Sequence, residues 1–303
     1  MTLELSHASP LAIVGCGTIG ASWAAYFLSR QLPVVVYNHG ELPHQKVFDR
    51  IAAHFPSLGS TTHEPRICND LQEAVAGSSL ILECAPEDAG IKRQLITEIQ
   101  GYADCDAIIA SNTSSLPHSD LTVGVARPDK VVIAHPYNPP HLVPLVEIYG
   151  IDSATCDSVK TFYARHGKSP VVLKKEMVGH LANRLSSALW REALYLLQEG
   201  VASVEDIDRA ITDGPGLRWA INGPFLTYHL GGGSGGIRQY LANLGDSQVY
   251  RWNSLGIPEV DDALVARIIE GVEATYGDES LDEHFRRRDR LLTSFIQTRR
   301  PLD

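Results

Sequence analysis

The sequence is poor in the features that mark several common classes of protein. Its 303 residues include five scattered cysteines, none spaced C-x-x-C, which argues against a disulfide framework and against the usual zinc-site spacings. Lys and Arg number 26 against 36 Asp and Glu, and the net charge of −10 argues against a nucleic-acid-binding face. We therefore expect reduced thiols, no metal and no nucleic-acid partner.

Charge is missing altogether between Ser9 and Ser29, a stretch close in length to a membrane span. Gly15, Gly17 and Gly20 interrupt this stretch, and the residues before it carry Glu4 but no Lys or Arg, unlike a signal peptide. We therefore expect no membrane segment and a cytoplasmic location.

A glycine-rich turn lies between the apolar run Leu11–Val14 and a helix-forming segment, and the β-branched run Pro33–Tyr37 follows. This is the strand–turn–helix–strand context that the G-x-G-x-x-G fingerprint requires. The first glycine makes the turn, the second admits the pyrophosphate, and the third lets helix and strand pack closely. The helix N-terminus offers free N–H groups to the phosphates. The residues expected to bind a dinucleotide here are Gly15, Gly17, Thr18, Ile19 and Gly20.

The second predicted strand ends at Asn38, where such motifs usually carry an acid for the ribose hydroxyls. An amide can bind a hydroxyl but lacks the negative charge that repels a 2′-phosphate. No Arg follows closely, since the first cation is Lys46. The sequence therefore favours NAD and leaves NADP open.

Polar residues follow the predicted strands Leu80–Cys84, Ala107–Ala110 and Lys130–Ala134. Ligands of open α/β sheets bind beyond the carboxyl ends of the strands, so this clustering indicates a binding site. The residues concerned are Glu87, Asn112, Ser114, His135 and Asn138, and Asn112 is a candidate cofactor ligand.

His135 opens the segment HPYNPPHLVPLVE, whose four prolines exclude a helix and predict a rigid loop. The strand after it, Leu145–Tyr149, carries Glu147, which can meet His135 across the connection. A carboxylate on one ring nitrogen fixes the tautomer and makes the other nitrogen a good base. For the pair alone, a purely structural contact is an equal alternative.

The pattern changes from strands to helices after Glu176. Apolar residues recur every four positions from Leu181 to Leu197 and predict a helix over 178–198. We therefore expect an α/β Rossmann-type dinucleotide-binding domain over residues 1–176 and an all-α domain over residues 177–303. The large apolar helical faces also indicate a dimer formed through the second domain.

Four ordered motifs resemble the 3-hydroxyacyl-CoA dehydrogenase family. They are the glycine turn, S-N-T-S-S at 111–115, the His135 loop and G-H-L-A-N-R-L at 179–185. The resemblance covers nearly the whole chain and implies an NAD-dependent dehydrogenase that forms a homodimer. It implies that His135 is the base and Glu147 its partner. It further implies a set that binds the reacting oxygen (Ser114 and Asn183) and a set that contacts the nicotinamide half of the cofactor (Glu87, Lys92 and Asn138).

The segment from Gly214 to Leu230 resembles the branch of that family with L-gulonate 3-dehydrogenase, lambda-crystallin and carnitine 3-dehydrogenase. The phosphates of coenzyme A are bound best by Lys and Arg, and residues 41–66 hold only Lys46, Arg50 and Arg66. We therefore expect oxidation of a small 3-hydroxy carboxylate, with Arg218 either binding its carboxylate or, equally, in a structural ion pair.

A sugar acid or another hydroxy acid is favoured over carnitine, whose quaternary ammonium would need aromatic faces such as Trp219, Tyr228 and Trp252. Two other functions stay open: a 3-hydroxyacyl-CoA dehydrogenase, and a non-catalytic protein that is crystallin-like or senses dinucleotides. The four catalytic residue types are all present, which favours an enzyme.

Overall fold

The computed structural model describes residues 9–40, 42–59 and 63–299, and the chain divides into two compact units, residues 1–184 and 185–303. The first unit is a Rossmann-type α/β domain and the second is helical, which confirms the predicted fold class. The predicted domain boundary at 176/177 stays a prediction.

One sheet of eight strands forms the centre of the described part of the first unit. Its strands are β1 (Leu11–Val14), β2 (Val34–Tyr37), β3 (Arg66–Cys68), β4 (Leu80–Glu83), β5 (Ile108–Ser111), β6 (Val131–Pro136), β7 (Leu145–Tyr149) and β8 (Ser169–Val172). Their spatial order is β3-β2-β1-β4-β5-β6-β7-β8, and every pair is parallel except β6 with β7. The order reverses between β1 and β4, which opens a crevice beyond their carboxyl ends.

Strand β8 was not predicted from the sequence. Its four residues, Ser-Pro-Val-Val, are mostly exposed at the edge of the sheet beside β7. Neither an apolar run nor a clear alternation marks such a short edge strand, because only one side of it pairs.

Helices flank the sheet of the first unit: α1 (Thr18–Leu28), α2 (His44–Ala52), α3 (Leu71–Val75), α4 (Ala89–Tyr102), α5 (His118–Leu121) and α6 (Ser153–Arg165). Three of them begin after an Asp whose carboxylate accepts a hydrogen bond from a first-turn N–H, namely Asp70, Asp88 and Asp152. Such caps satisfy N–H groups that lack a partner within the helix.

Helix α1 explains the long uncharged stretch. Eight of its side chains and Gly20 are buried, because it packs between the sheet and α6. The Trp23 ring stacks on Phe27 at 5.2 Å and lies 5.5 Å from the Tyr163 ring. Within the described residues, no helix combines the length and the apolar character needed to cross a membrane.

The helical part of the chain comprises α7 (Ala182–Gln198), α8 (Val204–Thr212), α9 (Pro215–Trp219), α10 (Pro224–Gly231), α11 (Gly236–Ser254), α12 (Asp262–Tyr276) and α13 (Leu281–Arg299). Leu194, Leu197 and Leu264 form a small buried cluster in it. Helix α7 begins later than position 178, because Gly179 and His180 take positive φ angles of 73° and 52°. Backbone of that conformation cannot continue a right-handed helix.

Lys168 fixes the proline-rich loop between β6 and β7. Its buried Nζ donates hydrogen bonds to the carbonyl oxygens of Pro140 and Val143, the latter at 3.1 Å. The same nitrogen lies 3.7 Å from the centre of the Tyr26 ring. Burial, with a smaller effect of the Arg30 charge, lowers the pKa of Lys168 to about 6.

This lowered pKa predicts a pH dependence of stability. Between about pH 6 and pH 10.5 the unfolded chain binds a proton at Lys168 that the folded chain does not, so unfolding becomes harder as pH rises. We expect the wild type to gain stability over Lys168→Met from pH 6.5 to 9, with a slope of at most about 1.4 kcal/mol per pH unit. Urea denaturation at several pH values measures it.

The exposed Lys160 on α6 supplies the control, because Lys160→Met should leave the pH dependence of the wild type unchanged. Parallel pH curves for the wild type and Lys168→Met would show that the buried amine does not titrate in this range.

Candidate active site

The glycine turn joins β1 to α1 at the crevice. Gly15 has a φ of 102°, and a Cβ there would lie 2.8 Å from the carbonyl oxygen of Cys84. A Cβ on Gly20 would lie 1.9 Å from the Gly15 oxygen, whereas one on Gly17 would meet nothing within 4 Å. The turn and the helix contact thus require glycine, and open space lies above Gly17 where a phosphate can approach.

A cavity of about 820 Å³ extends from this turn across the ends of β1, β2 and β4. Such a volume is in the range of small-molecule and cofactor sites. The first turn of α1 also lines it, so N–H groups at a helix N-terminus are available for phosphates. The lining residues include Gly15, Cys16, Gly17, Thr18, Ile19, Asn38, His39, Arg50, Ala85, Ile91 and Glu98. The residues of the glycine turn fit a dinucleotide.

Asn38 lies at the end of β2 and is largely buried. Its Nδ2 donates to the Leu42 carbonyl at 2.8 Å, and its own backbone oxygen accepts from Asn69 at 3.1 Å. The side-chain oxygen accepts no hydrogen bond from a described residue, so it can accept one from a ribose hydroxyl. Helix α2 also brings Arg50 to this cavity, which corrects the expectation that no Arg lies nearby.

His135 and Glu147 face each other across the antiparallel pair β6 and β7. The His135 Nδ1 and the Glu147 Oε2 are 2.9 Å apart, and both side chains are buried. Because an ionised carboxylate can only accept, the neutral imidazole carries its proton on Nδ1 and its lone pair on Nε2. Nε2 makes no hydrogen bond to any residue that the structure describes.

The second oxygen of Glu147 accepts from the backbone N–H groups of Leu181 and Ala182 at 2.7 and 3.0 Å. Burial opposes the charged form of this carboxyl, but the hydrogen bonds from His135 and the two N–H groups outweigh burial. The pKa of Glu147 is therefore lowered. Glu147 thus stays ionised and ties the first turn of α7 to the histidine.

Glu87 follows β4 and holds the loop after β5. Its Oε1 accepts from the Thr113 hydroxyl at 2.7 Å and from the N–H groups of Ser114 and Ser115 at 2.8 and 2.9 Å. Burial again opposes the charge, and these hydrogen bonds with the nearby Lys92 lower the pKa of Glu87. The carboxylate therefore fixes the position of the Ser114 loop.

Lys92 is buried beneath this loop rather than exposed toward it. Its Nζ lies 2.8 Å from Glu83 Oε1 and 3.0 Å from the Ala85 carbonyl oxygen, but 3.8 Å from Glu87. Glu83 also accepts from the Ser111 hydroxyl. The sequence interpretation missed Glu83, although a lone acid in the buried strand LILE, with a lysine one helix turn into α4, signals such a pair.

Two polar residues contact the Ser114 loop, one just before α7 and one in its first turn. Asn183 Nδ2 donates to the Ser114 carbonyl oxygen at 3.0 Å. His180, which the interpretation also missed, lies 3.2 Å from the Thr113 oxygen through Nε2, and its ring centre is 4.9 Å from that of His135. Burial and the neighbouring His135 lower the pKa of His180, so it stays neutral.

Three further candidates from the sequence are Asn112, Asn138 and Arg218. The Asn112 amide is used by the fold, since Trp23 Nε1 donates to its oxygen at 2.7 Å and its nitrogen donates to the Glu83 carbonyl oxygen at 3.2 Å. Asn138 is exposed on the loop after β6. Arg218 is exposed in the last turn of α9, in the helical unit. The described residues hold no cluster of three or more His, Cys, Asp or Glu suited to a metal.

A doubly wound sheet with a glycine turn at its switch point, and a histidine–glutamate pair at the same edge, defines a dinucleotide-dependent oxidoreductase. The family models for the 3-hydroxyacyl-CoA dehydrogenase NAD-binding domain and C-terminal domain match residues 10–177 and 179–286. The chain therefore belongs to the 3-hydroxyacyl-CoA dehydrogenase family.

The names of similar proteins agree with this assignment. The chain is 39% identical to an L-carnitine dehydrogenase of Streptomyces griseus, over 92% of this chain and 87% of that one. It is 38% identical to one from Bacillus cereus, over 95% and 91%. A solved structure of 5-formyl-3-hydroxy-2-methylpyridine 4-carboxylic acid 5-dehydrogenase, an NAD⁺-dependent dismutase, is 25% identical with a TM-score of 0.81, covering 97% of this chain and 99% of that one. The protein is an NAD-dependent dehydrogenase that acts on a CH–OH group.

Glu147 allows a direct test of the site's architecture. Glu147→Ala leaves the His135 ring and two backbone N–H groups without an acceptor, so we expect a loss of about 2–5 kcal/mol in unfolding free energy at pH 7. Because the folded-state pKa is lowered, this stabilisation is present at neutral pH and is lost as pH falls below the ordinary value of 4.5. Urea denaturation from pH 7 to 4 measures both effects.

Glu176→Ala is the control, since that carboxylate accepts one N–H, from Ser119 at 3.0 Å. Its effect should stay within about 1 kcal/mol. Equal losses in the two variants at pH 7 would contradict the bridging role of Glu147.

Proposed function

We propose that this enzyme oxidises the 3-hydroxyl of a small 3-hydroxy carboxylate to the 3-keto acid, with His135 as the general base. The observation that carries the proposal is the Glu147 contact to Nδ1, which leaves the Nε2 lone pair for an alcohol proton. The carbinol C–H bond breaks, its electron pair goes to NAD⁺ as hydride, and the hydroxyl proton goes to His135. The cofactor supplies the hydride acceptor, and the chain supplies position and base.

Ser114 and Asn183 are proposed to bind the reacting oxygen. The Asn183 contact to the Ser114 backbone holds the two residues together, and Glu87 fixes the Ser114 loop from the other side. Donors fixed before the reaction stabilise charge that develops on oxygen without reorganising. Glu87, Lys92 and Asn138 are proposed to serve the cofactor's nicotinamide half, with Lys92 acting through its neighbours because its side chain is buried.

L-carnitine is the substrate that we propose first. Eight relatives with 35–39% identity carry the name L-carnitine dehydrogenase. This similarity outweighs the expectation from sequence that ranked a sugar acid higher. In this proposal Arg218 binds the carboxylate. Its helical unit also exposes Trp219 and Trp252, whose ring faces suit a quaternary ammonium.

The experiment combines a substrate panel with a base variant. Purified protein and NAD are mixed with L-carnitine, L-gulonate, 3-hydroxybutyrate and 3-hydroxybutyryl-CoA, and the reduced-nicotinamide absorbance is followed. We expect turnover of L-carnitine, and we expect His135→Ala to lower kcat by about 10³-fold while NADH binding persists. His44→Gln, at an exposed histidine of α2, is the control.

The other possible results would contradict the base assignment or favour a different function. An unchanged rate in His135→Ala would make the base assignment wrong. Comparable turnover of the CoA thioester would favour an acyl-CoA dehydrogenase, and tight NADH binding without turnover of any alcohol would favour a non-catalytic protein. Turnover of L-gulonate alone would favour a sugar acid as the substrate, as the sequence predicted.

We also propose a homodimer formed through the helical unit. This unit exposes large apolar side chains that a monomer in water would leave uncovered, with exposed fractions of 87% for Phe225, 79% for Ile257 and 77% for Tyr250. The family resemblance supports a second copy of the chain as the occupant of this surface.

Phe225→Lys should raise the fraction of monomer at micromolar concentration, because it places a charge in an apolar interface. Light scattering after gel filtration gives the mass. Val123→Lys, at a residue of the first unit that is 60% exposed, should leave the mass unchanged. A wild type that is monomeric at the same concentration would contradict the dimer.

A further inference from the structure

Arg50 is a cation without a role in the reaction described above. It lies in the last turn of α2, is exposed, and lines the dinucleotide cavity together with Asn38 and Cys16. Its guanidinium makes no hydrogen bond or ion pair to any residue within 9–40, 42–59 and 63–299. An arginine that faces a ligand cavity without a protein partner has its donors free for the ligand.

The charge of Arg50 reaches the glycine turn. Burial raises the pKa of the Cys16 thiol to about 11, and the Arg50 charge opposes that rise. Cys16 stands between Gly15 and Gly17, in the turn that faces the phosphates of a bound dinucleotide. The charge of the guanidinium is therefore felt at the glycine turn, where the phosphates of a dinucleotide would bind.

The other polar residues that line the cavity indicate which ligand group Arg50 can bind. The β2 end carries the neutral Asn38 in place of an acid, and the carboxylate that lines the cavity is Glu98 of α4. The chain carries a net charge of −10, so a local cation adds attraction for phosphates to that of the α1 N-terminus. Guanidinium groups match phosphate oxygens with paired N–H donors.

A plainer explanation exists for the same residue. A cation in the last turn of a helix interacts favourably with the helix dipole, and Arg50 satisfies that description. That role concerns the stability of α2 alone and predicts no effect on a ligand. Lys46, which is exposed on the same helix and does not line the cavity, separates the two explanations.

We propose that Arg50 binds a phosphate group of the adenine dinucleotide. The group is either the diphosphate, which NAD and NADP share, or the 2′-phosphate, which only NADP carries. The inference rests on the cofactor cavity and not on His135 or on the identity of the hydroxy acid.

The test is a binding titration without substrate. Wild type, Arg50→Gln, Arg50→Lys and Lys46→Gln are titrated with NADH and with NADPH, at low and at high salt, by quenching of tryptophan fluorescence. We expect Arg50→Gln to weaken binding by about tenfold at low salt, Arg50→Lys to lose less, and Lys46→Gln to match the wild type. The difference should shrink at high salt, because an exposed charge is screened.

The two nucleotides identify the phosphate. An equal loss for NADH and NADPH assigns Arg50 to the diphosphate, and a loss confined to NADPH assigns it to the 2′-phosphate and makes Arg50 a determinant of NADP acceptance. Unchanged affinity for both nucleotides in Arg50→Gln would overturn the proposal and leave the helix-dipole role.

Failure of the proposed function is separable from failure of this inference. Absence of turnover in the substrate panel, with the Arg50→Gln difference intact, would reject the hydroxy-acid assignment alone. A wild type that bound neither nucleotide would overturn the Arg50 assignment together with that of the cavity. Thermal unfolding of each variant is the control: a midpoint equal to that of the wild type excludes loss of the fold as the cause of a difference in binding.

Discussion

The carboxylate of Glu147 is the interaction on which the rest of the site depends. One oxygen orients His135 across β6 and β7, and the other holds the first N–H groups of α7. Asn183 follows directly in that helix and contacts the Ser114 backbone. The orientation of the imidazole and the position of Asn183 against the Ser114 loop therefore both depend on this one buried carboxylate.

Two further acids, the buried Glu83 and the more exposed Glu87, organise the neighbouring loops by the same principle. Glu83 at the end of β4 pairs with Lys92, and Glu87 accepts hydrogen bonds from N–H groups and hydroxyls of the loop after β5. Carboxylates that accept backbone N–H groups favour their charged form and lose mobility. The candidate site is built from loops at the ends of parallel strands. Loops are more mobile than the strands that they follow, and the hydrogen bonds to these carboxylates restrict that motion.

The sequence predicted much of this arrangement, since local pattern encodes it. The glycine turn, six neighbouring strands and the His–Glu encounter follow from motif context and strand order. The burial of Lys92 and the position of Arg50 at the cavity do not follow from the sequence, because the first depends on packing and the second on the direction of α2. The late start of α7 depends on a left-handed His180, and β8 is an edge strand without periodicity. Each omission concerns tertiary contacts that a linear pattern cannot contain.

The most direct measurement is a crystal structure of the protein with NADH and L-carnitine bound together. The account predicts the substrate 3-oxygen within about 2.6–3.2 Å of His135 Nε2, with the carbinol carbon against the nicotinamide ring and Glu147 still on Nδ1. A substrate oxygen bound by another group, with Nε2 directed away from it and no single bridging water, would contradict the account.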